Sequence, residues 1–315
     1  MRRFILRRTW QALLVFVVCT FGAFLGLYRF GDPFQSIGEK LLPPGTRHIL
    51  RETFGLDKPL PVQYLIYLRN LFTGDLGIDF AQRRPVFDLL ADAAPYTMRL
   101  AVAALALELV IGLSAGVAAA VWHRSIWDVL VTTGTLALMA VPLFVIASFL
   151  RAELSGARVF EVTIFPVLPR SFGVPVSWFQ DMILPAFTLA IAAMAFIARL
   201  TRSSMLEVLD ADYIRTAKAK GLSRRTIVFK HALRNAVLPT VNVAAIELGA
   251  LMGGTIVVET IFQYPGLGFL FVRSLRALNY PVMMAITSYS VMIFIVLIAL
   301  TDVLSAYLDP RLRNL

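Results

Sequence analysis

A serine framed by two glycines, Gly112-Leu113-Ser114-Ala115-Gly116, has the spacing of a nucleophile elbow. Such a serine works only with a base within hydrogen-bond reach. The three histidines, His48, His123 and His231, fall in loops or at the edges of apolar runs, so none stands beside Ser114. The plainer reading is a packing face. Gly112 with Gly116, and Gly249 with Gly253, are G-x-x-x-G pairs, a spacing that lets two helices approach closely. Phosphate chemistry is missing as well: no Gly-Lys pair occurs, so there is no Walker A loop, and Leu154-Ser155-Gly156 only faintly echoes an ATPase signature. Cys19 is the one cysteine and the histidines are scattered, so no metal or cofactor site is expected on this chain.

What remains are ionisable residues inside apolar runs: Glu247, Glu108, Arg99 and Asp302. Those runs set the fold. Of 315 residues, 58% are hydrophobic and 16% charged, against about a quarter charged in a soluble domain. Mean hydropathy is +0.74. A bilayer-spanning helix needs about 20 mostly apolar residues. Six segments qualify: 9–28, 96–122, 129–150, 182–198, 235–258 and 277–301. Backbone amides cannot stay unpaired in lipid, so the expectation is an all-α polytopic membrane protein of six transmembrane helices. Its first span is read as a retained anchor. It is longer than the apolar core of a signal peptide and no small-residue cleavage site follows, although Arg2-Arg3-Phe4 resembles a twin-arginine start.

The net charge of +10 orients these spans and does not serve nucleic acid. With the N-terminus inside, the inner segments hold 16 basic residues in 57 positions and the outer ones 13 in 117. Both termini are therefore expected in the cytoplasm. The outer loop 29–95 is too long for a plain connection. Arg47 to Phe54, stopped by Gly55, and Pro61 to Phe72, followed by Gly74, read as short helices of a small extracytoplasmic cap on the membrane surface.

The inner loop from Arg199 to Arg234 holds nine basic and three acidic residues. Helical periodicity runs from Glu207 to Lys220. Gly221 supplies a left-handed stop, and Ser223 caps a second helix through Ile227, Val228 and His231 towards Pro239. A solvated loop that sets topology would not need Tyr213, Ile214, Leu222 and Ile227, which call for a surface to pack on, either a partner protein or lipid headgroups.

This loop resembles that of ABC-transporter permeases. The residues that carry the likeness are Glu207-Val208-Leu209, the run Asp212-Tyr213-Ile214-Arg215-Thr216-Ala217-Lys218-Ala219-Lys220-Gly221-Leu222, and His231-Ala232-Leu233-Arg234-Asn235. The match is to the first membrane subunit of the dipeptide/oligopeptide/nickel importer family, and it continues along the chain. Gly55-Leu56-Asp57-Lys58-Pro59, Gly74-Asp75-Leu76-Gly77, Ile183-Leu184-Pro185, Arg199 to Met205, Glu259-Thr260-Ile261-Phe262, Pro265-Gly266-Leu267-Gly268 and Leu308-Asp309-Pro310-Arg311 follow in order. The general motif opens Glu-Ala-Ala where this chain has Arg215-Thr216-Ala217, and its closing Leu-Pro sits late, at Leu238-Pro239. Only Ala217 and Gly221 therefore carry over from the short form.

The resemblance implies a single transmembrane domain, 1–315, in a prokaryotic inner membrane. Residues 199–238 would form the coupling loop, with residues 212–222 as the contact to a cytoplasmic ATPase. It also implies a heterodimer with a second permease, two P-loop ATPases that hold ATP and Mg, and an extracytoplasmic binding protein delivering short peptides. Catalysis would lie in the ATPases. Glu247 either makes a buried contact between helices or lines the path, Glu108 joins it as a weaker path candidate, and for Glu108 and Asp302 structural pairing is the favoured reading, Asp302 with Arg311 or Arg313. A self-contained channel or ion-coupled transporter is the alternative, although no internal repeat supports it.

Overall fold

The computed structural model describes residues 2–29, 58–79, 82–155, 158–159, 162–163 and 177–308. Apart from a two-residue antiparallel ladder, Arg158–Val159 with Val162–Thr163, the regular structure described is helical. Four helices are long and apolar enough to cross a bilayer: Arg7–Gly26 within α1 (Arg2–Arg29), α3 (Val86–Val121), α6 (Trp178–Leu209), and Tyr280–Leu300 within α12 (Tyr280–Leu308). The expected third and fifth spans are each broken in two. α4 (Ile126–Ala140) and α5 (Leu143–Leu154) meet at 98°. α9 (Leu238–Gly254) and α10 (Ile256–Phe262) part at Thr255. With each bent pair taken as one span, the count reaches the expected six, and the first break falls inside the run 129–150. Pro142 has no N–H for the ladder and forces Val141 out of the helical region, to φ −90°, ψ 125°.

The chain forms two compact units: Met1–Thr97 with Pro265–Val296, and Met98–Tyr264 with Leu297–Leu315. In the first, Val86, Leu89, Leu90, Ala93 and Ala94 pack on Leu267, Val282, Ala285 and Ile286. The helix at Val86 thus begins well inside the stretch read as outer loop. α2 (Leu60–Thr73) carries Pro61 in its first turn and ends at Gly74 in the left-handed region, φ 80°, as its sequence predicts. Its tyrosines pack against neighbouring helices. Tyr64 stacks edge-on against Phe21 and meets the Thr20 hydroxyl at 2.8 Å. Tyr67 donates to the Met284 carbonyl at 3.3 Å and also meets the Ser288 hydroxyl. An amphipathic Tyr buries its ring where its hydroxyl finds a partner, and here that is against two spans. The other expected cap helix, Arg47 to Phe54, lies outside the described residues, as does the tail beyond 308.

Two turns of this unit are tied down by side-chain hydrogen bonds. Asn279 hydrogen-bonds Asp79, which follows the Gly74–Gly77 turn, and Thr97 Oγ1 accepts the Leu267 N–H at 2.8 Å where α11 (Leu267–Arg276) begins.

The second unit is built around α6, opened by a reciprocal cap between Ser177 and Gln180. α4, α5, α9 and α10 all pack on it, and α5 and α10, the second halves of the two broken spans, also pack on each other. α3 approaches α6 through its glycines. A Cβ on Gly112 would sit 2.8 Å from Ile197 Cγ2, and one on Gly116 would sit 2.5 Å from the Ala198 carbonyl oxygen. Only a hydrogen at each position permits this approach. Ser114, between them, is exposed. The second glycine pair falls partly outside the described side chains.

Candidate functional site

α6 runs on past its apolar stretch to Leu209. Ala211 then turns extended, φ −67°, ψ 149°, and the chain folds back as α7 (Asp212–Ala219). Glu207 to Leu209 thus belong to the long helix, and the expected single helix from 207 to 220 is divided there. α7 ends in a six-to-one closure. Leu222 N–H donates to the Ala217 carbonyl at 3.3 Å, Gly221 N–H donates to Lys218 at 3.0 Å, and Gly221 takes φ +73°. Ser223 then accepts the Thr226 N–H at 3.3 Å and opens the second helix. That second element is α8, residues 224–236, an α-turn over Arg224–Thr226, a π-turn over Ile227–Ala232 and an α-turn over Leu233–Ala236. The π-turn matters to packing. Ile227 and Ala232 are five apart, yet both are buried in the same cluster.

That cluster sorts the loop's residues into two roles. Ile214 and Ala217 point inward on Ala120, Met205, Ile227, Val228, Ala232 and Ala236, with Ile214 fully buried. Burying an Ile side chain is worth about 1.5–3 kcal/mol, which fixes α7 on its own chain. The expectation that Ile214 and Ile227 need an outside surface is therefore corrected. Asp212, Tyr213, Arg215, Thr216, Lys218, Ala219, Lys220, Gly221 and Leu222 remain outward. Tyr213 and Leu222 keep about two-fifths of their surface exposed, and the Tyr213 hydroxyl accepts a hydrogen bond from Asn235 at 2.8 Å. The result is a braced knob with three exposed cations, one acid and two large apolar residues. Of the two residues carried over from the short motif, Ala217 positions α7 and Gly221 shapes the bend.

Beside the knob, Arg202 of α6 forks onto Asp128 in the first turn of α4. Nη2 donates to Oδ2 at 2.9 Å and Nε donates to Oδ1. Arg124 N–H reaches the same Oδ2 at 3.0 Å, and His123 Nδ1 lies 3.0 Å from it. Composition gave no pointer to Asp128. The available signals were its place three residues after Ser125, which caps α4, and the matched stretch Arg199–Met205.

Within the spans, Glu108 on α3 is fully buried, and both carboxylate oxygens lack a hydrogen-bond partner among the described residues. The structural pairing expected for it is absent there. Glu247 on α9 is half-buried and close enough for its charge to act on Glu108. A further buried acid, Glu259 on α10, belongs to the matched stretch Glu259–Phe262 and lies just past the fifth apolar run, which closes at Val258. Its Oε1 accepts the Thr255 hydroxyl at 2.9 Å, so it braces the break between α9 and α10. The side chain of Asp302 lies outside the described residues.

Two family models cover almost the whole chain. Residues 110–314 match the binding-protein-dependent transport system inner membrane component, and residues 1–101 match the N-terminal part of such a membrane component. The chain is 36% identical to the dipeptide transport system permease protein DppB of Lactococcus lactis subsp. cremoris, over 99% of this chain and all of that one. It is 35% identical to the oligopeptide permease protein OppB of Haemophilus influenzae, over 99% and 100%. It is 37% identical to the glutathione permease protein GsiC of Shigella flexneri, over 90% and 89%. The fold is similar to that of a chain from the inward-facing MetNI methionine ABC transporter, with TM-score 0.56, 19% identity, and 70% and 96% of the two chains covered. A multi-pass membrane chain with these matches along both of its parts belongs to the family of inner-membrane permease components of binding-protein-dependent ABC transport systems.

Proposed function

We propose that this chain is one of two unlike permease subunits of an importer for short peptides, with both termini in the cytoplasm. Two separate P-loop ATPases bind ATP and Mg, an extracytoplasmic binding protein hands over the cargo, and residues 212–222 take the thrust of the ATPases. The observation that carries this reading is the braced knob. α7 and α8 hold Tyr213, Lys218, Lys220 and Leu222 outward while Ile214 and Ala217 anchor them to α6, so a push on the knob moves a helix that runs through the bilayer. Peptide cargo is supported by what the related permeases are named for, dipeptides, oligopeptides and glutathione. Glu247 and Glu108 line the path in this proposal, since a buried acid such as Glu108, with no hydrogen-bond partner among the described residues, is costly unless something else meets it.

The test is reconstitution with the companion chains, ATP trapped in the lumen, and labelled di- and tetrapeptides outside with the binding protein. ATP-dependent accumulation is expected. Equal accumulation without ATP would overturn the proposal in favour of a self-contained channel or an ion-coupled transporter.

A further inference from the structure

Between the far end of α3 and α8 lies an open trough of about 600 Å³. Its walls are apolar, with Val117 and Val121 on α3 and Val228, Phe229 and Leu233 on α8. Arg224 and Arg225 stand at its rim, and no acid lines it. Trp122, half exposed, closes the end where the apolar run of α3 gives way to His123 and Arg124. Phe229 keeps 58% of its surface exposed, an expensive arrangement for a ring facing water.

We propose that this trough holds an anionic phospholipid, its acyl chain along Val117, Val121 and Phe229 and its phosphate at Arg225. Three observations favour a lipid over a protein segment. The rim is doubly cationic with no acid to answer a protein's basic groups. One wall lies on a helix that is apolar enough to span a bilayer. An indole at the end of such a helix is the residue type that settles at the headgroup level. The two arginines divide the work. Arg224 Nη2 donates to the Val121 carbonyl, one of the last in α3, and so locks α8 onto that helix end. Arg225 is exposed on the rim and faces a headgroup, as basic residues beside membrane helices do for acidic lipids. Lipid in the trough would wedge between α3 and the α7–α8 knob, so membrane composition would bear on how firmly the knob is held.

The experiment uses the full chain with its companion subunits in nanodiscs containing a phosphatidylglycerol with a photoactivatable group in its acyl chain. Labelled peptides covering Val117–Trp122 and Val228–Leu233 are expected, displaced by unlabelled phosphatidylglycerol and not by phosphatidylcholine. Arg225→Gln should lower the labelling about fivefold, as one basic residue at an anionic headgroup would. Phe229→Asp, a change at an exposed position, should abolish it. Arg276→Gln, on α11, should leave it unchanged. Equal displacement by phosphatidylcholine would overturn the proposal. So would cross-links from a photoreactive residue at position 229 to a permease or ATPase chain in place of lipid.

Discussion

Arg202 and Asp128, 74 positions apart, form a two-pronged ion pair in which Nη2 stands 2.9 Å from Oδ2 and Nε bonds Oδ1. The pair ties the start of α4 to the part of α6 that leads into the knob. A fork of this kind is directional as well as strong, so it fixes the rotation of one helix against the other. Asp128→Asn keeps the size and removes the charge, and it should cost about 2 kcal/mol. Arg202→Lys, which cannot make both bonds, should lose a similar amount. Thermal unfolding of the purified complex checks both. An unchanged midpoint for both variants would reduce the pair to decoration.

Gly221 has open space where a Cβ would sit, so its requirement is conformational: φ is +73° and nothing crowds it. Gly221→Ala should cost about 1–2 kcal/mol in the bend and slow ATP-driven uptake while the protein still inserts. Gly221→Pro cannot adopt a positive φ and should abolish uptake at normal membrane levels. Uptake assays paired with quantitation of the membrane fraction separate the two effects. Wild-type uptake by the proline variant would remove Gly221 from the coupling mechanism.

Ala217 and Lys218 are neighbours with opposite fates. Ala217→Glu would place a carboxylate in the cluster with Met205 and Val228, so α7 should loosen and become susceptible to protease. Lys218→Glu should leave protease resistance intact and weaken ATPase association, more so at low salt. Limited proteolysis and co-purification of the ATPases distinguish these outcomes. Equal protease sensitivity in both variants would mean that α7 is not held as described.

How much of this was legible in the residues varies with the kind of signal. Gly221 and Ser223 announced the bend because their local chemistry suffices for it. Pro142 carried the break in the third span equally openly, and a count of apolar residues passes over it because proline is no obstacle to hydropathy. The roles of Ile214 and Tyr213 were not legible. Adjacent apolar residues on a short helix look alike until the core they face is known, and that core comes from Ala120 and Met205, far off in sequence. The choice of Asp128 by Arg202 is tertiary in the same sense. The glycines at 112 and 116 were readable as packing, but α6 as their partner was not.

Gly116 makes the tighter of the two approaches to α6. A Cβ there would stand 2.5 Å from the Ala198 carbonyl oxygen and 2.6 Å from Thr201 Cβ, so the helices must separate to admit it. Gly116→Ala should cost about 1–3 kcal/mol, with Gly116→Val worse. Because Arg202 follows Thr201, the displacement should also strain the Asp128 ion pair. The double variant Gly116→Ala/Asp128→Asn should therefore lose less than the sum of its parts in thermal unfolding. Simple additivity would show the two contacts to be independent.

Glu108 and Glu247 supply the sharpest test of what passes through the chain. Glu108 has no partner to satisfy its oxygens among the described residues, and Glu247 adds a second carboxyl within electrostatic reach. If their purpose were packing, Glu108→Gln would lose stability and treat all cargo alike. If they face the path, Glu108→Gln should leave unfolding unchanged or improve it, since an amide is cheaper to bury than a carboxylate. Glu247→Gln should then reduce uptake of lysine-containing dipeptides about tenfold relative to neutral ones, the loss expected of one charge-assisted bond. Uptake of a paired set, Ala-Lys against Ala-Ala, decides the matter within a single preparation. Parallel losses for both peptides would assign the two acids to the scaffold, and wild-type uptake of both would remove them from the path.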